Sequence, residues 1–341
     1  MLQFARLAAL FATMLLLGCG KSDDPHAGGS QKASFKIGFM PKLVGIPYFN
    51  ACRRGAEEAA TDLGIPLRYD GPTKADAQQQ IELLEQWVNS GEFQAIVVAC
   101  NDPDLVAPIL GDAQAKGILV ITYDADTRPE SRKYFVNMAT YEDVAQAMVD
   151  EMADQLEPKG EGKVGILTSS IQAPNQSEWA KRMKAYVKDK YPKMELLPET
   201  QHGEDRDQGI IKAKALIAGT PDLKGIIGLT SVAVPAAAEA VRQEANQGRL
   251  QKGQIKVTGV STPKDMRDYV KDGTVKAFFL WKPVDLGYLA VQVAYLEHSG
   301  KMGDNRTIEA GRLSNISVKN REVLLGKPMR FTPENIDQFD F

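Results

Sequence analysis

From Phe35 onward, short apolar runs alternate with segments whose apolar residues recur at helical spacing. The runs lie at 35–40, 66–69, 95–100, 118–123, 164–168, 225–230, 255–260 and 275–281. Most are continuous rather than alternating, as strands covered on both faces require. Helical patterns fill the gaps over 48–63, 75–90, 105–116, 141–156, 176–190, 208–218, 233–247 and 286–298. Gly64 and Gly117 each stop a helix and lead directly into a strand, GIPL and GILV. Such alternation specifies right-handed βαβ units and doubly wound, mainly parallel sheets, so the fold class is α/β. About eight units are too many for one small sheet, and 341 residues suit two domains. The first crossing between them is expected at 123–141, where TYDADTRP runs into an irregular stretch, with a second sheet over 162–281.

In open α/β sheets, ligands bind beyond the carboxyl ends of the strands, and two domains facing each other across that edge make a cleft. The residues that follow the strands are Lys42, Tyr48 and Phe49; Asn101 and Asp102; Asp124 and Asp126; 169–176; Thr230 and Ser231; Ser261; and Trp281 with Lys282. Carboxylates and amides fork onto neighbouring hydroxyls while an aromatic face covers C–H groups, so this mixture suits a polyol. Each position also has an ordinary alternative. Asp124 caps a turn, Lys42 is a solvated loop charge, and Tyr48, Phe49, Trp179 and Trp281 are core or helix-start residues. Asn175 and Gln176 cap the helix that follows them, and Asn101-Asp102-Pro103 starts another. For Asp124 the ligand role is preferred; for Tyr48, Asn101, Asp102 and Trp179 the structural one is.

Composition narrows the chemistry. The net charge is −3, which offers no broad basic surface for nucleic acid. The three histidines, His26, His202 and His298, are scattered, so no His/Cys metal cluster and no HExxH arises. GxSxG and GxGxxG are absent, and Lys159-Gly160-Glu161-Gly162-Lys163 has the wrong spacing for a phosphate loop. Acid pairs such as Asp102/Asp104 and Asp124/Asp126 fall in turns, where acids are common. No enzyme, metal or cofactor is therefore expected.

The first 18 residues carry one positive charge and then an apolar run over 7–17, too short to span a bilayer, as in a secretory signal. It ends in Leu16-Leu17-Gly18-Cys19, which resembles the lipobox of bacterial lipoproteins, with Cys19 the lipidated residue. Residues 20–34 are polar and rich in Gly and Ser, a tether between lipid and fold. A plain signal peptide is the alternative. Cys52 on a predicted helix and Cys100 at a predicted strand end are expected as free thiols rather than a bridge, which needs Cα atoms within about 7 Å.

Several strings together resemble the periplasmic sugar-binding proteins of ABC importers, of the ribose-binding type. They are Phe39-Met40-Pro41-Lys42-Leu43-Val44-Gly45 with Tyr48-Phe49; Tyr69-Asp70-Gly71-Pro72-Thr73; and Thr122-Tyr123-Asp124-Ala125-Asp126-Thr127. Asn175-Gln176-Ser177-Glu178-Trp179, Ser261-Thr262-Pro263, Gly273-Thr274-Val275-Lys276, Leu280-Trp281 and Glu334-Asn335-Ile336 with Phe339-Asp340-Phe341 continue the likeness over 35–341. The autoinducer-2-binding and rhamnose-binding branch is the most similar. This resemblance implies a two-lobed type I periplasmic binding protein with three hinge strands. Its N-terminal lobe would be 35–138 plus 283–311 and its C-terminal lobe 139–282 plus 312–341.

Carried over by position, the autoinducer-2 branch implies contacts from Lys42, Asp124, Asn175, Gln176, Leu229 and Ser231. Position 175 departs from it, since that branch has Asp before the Gln, and its Pro-Asp-Ala is Leu229-Thr230-Ser231 here. Losing a carboxylate removes a charged acceptor, and charged hydrogen bonds are the strong ones. The stretch Trp281-Lys282-Pro283-Val284-Asp285-Leu286-Gly287-Tyr288 resembles the rhamnose-binding branch more. The resemblance thus implies a monomeric, lipid-anchored receptor in the periplasm or cell envelope. It would bind a small sugar through Lys42, Tyr48, Phe49, Asp124, Asn175, Gln176, Thr230, Ser231 and Trp281. It would then deliver that sugar to an ABC permease of the inner membrane by hinge closure. Autoinducer-2 is the alternative ligand, and presentation to a sensor the alternative use. A sugar-responsive repressor of the same fold needs an N-terminal DNA-binding unit, where this sequence has a signal and a tether.

Overall fold

The computed structural model describes residues 35–303 and 306–341. The expected signal segment, Cys19 and the tether lie outside the described residues. The described chain begins with β1 (Ile37–Met40), α1 (Pro47–Leu63), β2 (Leu67–Tyr69), α2 (Ala77–Ser90), β3 (Ala95–Val98), α3 (Ala107–Ala115) and β4 (Leu119–Tyr123). β5 (Tyr134–Asn137) follows within the stretch expected to be irregular. Beyond the first crossing come α4 (Tyr141–Gln155), β6 (Gly162–Thr168), α5 (Pro174–Lys190), β7 (Met194–Gln201), α6 (Arg206–Gly219) and β8 (Leu223–Gly228). Then follow α7 (Ala233–Asn246), β9 (Lys256–Gly259), α8 (Pro263–Lys271), β10 (Phe278–Leu280) and α9 (Pro283–His298). The chain finishes with β11 (Arg306–Ala310), β12 (Leu313–Lys319), β13 (Glu322–Leu324) and β14 (Met329–Phe331).

Two sheets form the two lobes. The first runs in the order β11-β12-β13-β5-β4-β3-β1-β2, parallel from β13 to β2 and antiparallel at the β11–β12–β13 end. The second, β7-β6-β8-β9, is entirely parallel. A small antiparallel pair, β10 with β14, continues it through a bridge between Val260 and Phe279. Every residue of β1, β3 and β5 is buried, which explains why these strands read as unbroken apolar runs.

The expected assignment of 312–341 to the second lobe needs correction. β12 and β13 belong to the first sheet, where Val323 pairs with Val136, the Phe135 amide donates to the Arg321 carbonyl and the Leu325 amide to that of Asn137. A wholly buried β5 cannot be a bare sheet edge, and β13 covers it. Only β14 and the residues after it join the second lobe. The chain therefore passes between the sheets at 138–140, 281–282 and 325–328.

α9 returns across the second of these crossings to pack against α1. The two helices meet backbone to backbone: a Cβ on Gly55 would stand 1.8 Å from the Val284 carbonyl oxygen, and one on Gly287 only 1.9 Å from that of Cys52. Glycine is the residue that permits such an approach. Cys52 and Cys100 are buried free thiols.

Candidate functional site

The loops at the carboxyl ends of both sheets converge on one cleft with about 370 Å³ of space, part of it open to solvent. Lys42 follows β1, and Pro47 fixes the first turn of α1 so that Tyr48 and Phe49 face the same space. Asp124 follows β4 in the left-handed conformation (φ 61°), which a short carboxylate side chain tolerates better than most. From the other lobe, Pro174 starts α5 and places Asn175 and Gln176 in its first turn. Leu229, Thr230 and Ser231 follow β8, and Trp281 follows β10 at a crossing between the sheets. Each of the expected ligand-binding side chains among the described residues, Lys42, Tyr48, Phe49, Asp124, Asn175, Gln176, Thr230, Ser231 and Trp281, lines this cleft.

A hydrogen-bonded chain joins them. The Trp281 indole donates to the Tyr48 hydroxyl at 2.9 Å, and that hydroxyl donates to Asp124 Oδ1 at 2.7 Å. Lys42 Nζ stands 3.6 Å from Asp124 Oδ2 and donates to Asn175 Oδ1 at 2.9 Å. Lys42 and Asp124 are both buried, so water screens this pair little. Burial pushes the Asp124 carboxyl up from its ordinary value, against the pull of the Lys42 ammonium and the Tyr48 hydrogen bond. The Tyr48 hydroxyl is pushed up by burial and by the Asp124 charge, so it stays protonated and able to donate.

The remaining polar groups are partly committed. Gln176 Oε1 accepts from the Thr168 hydroxyl and from the Ser169 amide and hydroxyl, which leaves its amide nitrogen for a ligand. Thr230 Oγ1 accepts from the Val232 and Ala233 amides at 3.2 and 3.0 Å, closing the turn into α7. The other strand-end candidates do structural work. Asn101 donates to the Lys42 carbonyl, Asp102 caps the turn at 104–105, and Asp126 pairs with Arg132 at 2.8 Å. Ser261 donates to the Ser231 carbonyl.

An aromatic wall faces the polar chain. Trp281 lies 6.0 Å from Trp179 and stands perpendicular to Tyr48 at 6.0 Å, and Phe49 meets Tyr48 edge-on at 5.0 Å. Trp179 is buried, as a core residue is, and it also lines the cleft.

The lining includes one acid that the strand-end reading missed. Glu204 lies between β7 and α6 with φ 57°, and its Oε2 is buried without a hydrogen-bond partner. Burial pushes its carboxyl up to about 7, against the pull of Lys42 and the Thr230 and Ser169 hydroxyls and with a further push from Asp124. Nearby His202 is buried, its Nδ1 has no partner, and burial holds it down at about 4. Among the described residues, no group of three or more His, Cys, Asp and Glu side chains is placed to hold a metal ion, and no helix is long and apolar enough to cross a membrane.

Comparison with known proteins agrees with this architecture. The family model described as periplasmic binding protein domain matches residues 37–302. Among solved structures, a sugar ABC transporter protein from Actinomyces odontolyticus is 33% identical, covering 92% of this chain and 100% of its own, with a TM-score of 0.71. LsrB from Clostridium saccharobutylicum, in complex with AI-2, is 26% identical over 90% of this chain and 100% of its own, with a TM-score of 0.83. An ABC transporter solute binding protein from Clostridium phytofermentas with bound L-rhamnose is 27% identical over 89% and 98%, also with a TM-score of 0.83.

Proposed function

The chain belongs to the periplasmic binding protein family, and on that premise we propose that it captures one small neutral sugar in its cleft and hands it to an ABC permease. The observation that carries this reading is the chain of hydrogen bonds from Trp281 through Tyr48, Asp124 and Lys42 to Asn175, because it draws on both lobes. A ligand that touches both lobes stabilises only the closed arrangement of them, and this differential affinity drives hinge closure. Asp124 accepts from two sugar hydroxyls, Lys42 and the Gln176 amide donate, and Trp281 and Phe49 cover the C–H face.

A deoxysugar such as L-rhamnose fits the apolar wall, and L-rhamnose is bound in one of the similar structures. Autoinducer-2 is the second reading, favoured by the likeness to LsrB and by the Lys42, Asp124 and Gln176 set. Placement in the cell envelope on a lipid at Cys19 completes the proposal, and mass spectrometry of the membrane-extracted protein tests it. The ligand is tested by tryptophan fluorescence of the full chain titrated with L-rhamnose, D-arabinose, D-ribose and autoinducer-2. Trp179 and Trp281 line the cleft, whereas Trp87 packs on Phe93 in the first lobe, so the signal reports on the site. Saturable one-to-one binding of a sugar supports the reading, binding of autoinducer-2 alone replaces it with the second, and turnover of the ligand or no binding from this panel refutes it.

A further inference from the structure

We propose that Glu204 is a specificity-determining residue of this cleft: its unpartnered carboxyl oxygen takes a hydroxyl of the sugar from the second lobe, and it does so in the protonated form. The inference rests on the sugar-binding reading and deepens it. Three observations support it. Glu204 lines the same cleft as Lys42 and Asp124, although it lies far from both in sequence. Its Oε2 is closed off from solvent with no partner, and a buried polar atom left in that state costs free energy that a ligand hydroxyl would recover. Its backbone is held in the left-handed region at a non-glycine residue, a strained state that clusters where function fixes a side chain.

The charge balance decides the protonation state. Lys42 and Asp124 are the charged groups that act on Glu204 across the cleft, and between them they already cancel. On its own loop, Asp205 caps α6 through the Gln208 amide at 2.9 Å, and His202 is neutral above its lowered value of about 4. Ser169 and Thr230 present only hydroxyls. A second carboxylate sealed in with a neutral sugar would be an uncompensated buried charge, so binding favours the acid form. The free carboxyl already titrates near 7, so binding takes up a proton above that pH. Affinity is then full below about pH 7 and falls as pH rises, by up to about tenfold per pH unit.

The test is a set of titrations with the sugar that binds the wild type, from L-rhamnose, D-arabinose and D-ribose, between about pH 5.5 and 8.5. Glu204→Gln keeps a neutral donor and acceptor, so it is expected to hold the wild-type low-pH affinity and lose the pH dependence. Glu204→Leu removes both the hydrogen bond and the titrating group, so it is expected to bind about tenfold or more below the low-pH wild type and to show no pH slope. If Glu204→Leu fails to fold, the pH profile of Glu204→Gln decides alone. Wild-type affinity in the leucine variant below about pH 7, or a wild-type pH slope in the glutamine variant, overturns the role of Glu204 and leaves the sugar reading intact. Failure of every sugar to bind the wild type overturns both.

Discussion

Lys42 donates to Asn175 across the cleft at 2.9 Å while standing 3.6 Å from Asp124 on its own lobe, so one buried ammonium is shared between the two halves of the protein. An amide oxygen carries no net charge, so it holds this ammonium less strongly than a carboxylate in the same place would. An Asn175→Asp variant would draw it toward the second lobe and add a carboxylate to a site that already holds Asp124 and Glu204. The expected result is about a tenfold loss of affinity for a neutral monosaccharide, together with a rise in affinity for autoinducer-2 relative to that sugar. Parallel fluorescence titrations check it, and an unchanged ratio of the two constants would remove position 175 from the selectivity argument.

Tyr48 is the link that passes the Trp281 N–H to the Asp124 carboxylate. Tyr48→Phe keeps the ring against Phe49 and Trp281 but leaves a buried indole N–H and one carboxylate oxygen without their partner. Each such group costs about 1–3 kcal/mol, so urea denaturation should show a loss of that order. Ligand affinity should fall as well, since Asp124 loses the donor that orients it. A variant as stable as the wild type, with the same affinity, would show that the chain of bonds is not needed.

The packing of α9 on α1 makes a prediction about the scaffold alone. A methyl on Gly287 meets the Cys52 carbonyl oxygen at 1.9 Å, a backbone atom that cannot swing aside as a side-chain tip can. Gly287→Ala should therefore cost about 1–3 kcal/mol or more through separation of the helices. Gly111 lies in α3 with nothing near its missing Cβ, so Gly111→Ala is the matched control and should be neutral or slightly stabilising. Chemical denaturation of the two variants side by side measures the difference.

What could be read from the sequence divides along physical lines. β1, β3, β4, β6, β8 and β9 are largely buried, so their apolar runs stand out, and the rule that ligands lie beyond such strands pointed to Lys42, Asp124 and Thr230. β7 carries no such signal. It is the edge of its sheet, half exposed, and it accommodates Pro198 at a register shift between its pairings with Val164 and Ile166. With that strand unread, the residue beyond its end could not be assigned to the cleft, and Glu204 was missed. β12 and β13 were placed in the wrong lobe because their partner β5 is four residues long inside a polar stretch. Trp179 shows a different difficulty: large buried aromatics read alike whether they face a core or a ligand.

Burial shifts His202 and Glu204 in opposite senses, so the two make opposing contributions to the acid response of the fold. His202 is held down at about 4 against an ordinary 6.5, so the unfolded chain binds a proton that the folded one refuses, and stability falls as pH drops from about 6.5 toward 4. Glu204 is pushed up to about 7 against an ordinary 4.5, so the folded chain binds the extra proton, and stability rises as pH drops from about 7 toward 4.5. Each shift corresponds to an effect on the order of 3 kcal/mol, and the two nearly cancel. The wild type should accordingly show little change in urea midpoint from these groups between about pH 7 and 5. His202→Gln removes the destabilising arm, so this variant should gain stability on acidification relative to wild type. Glu204→Gln removes the stabilising arm and should lose it. Because both are read as differences from wild type, the other carboxylates drop out, and a pair of variants that both follow the wild-type curve would show that neither group is buried as described.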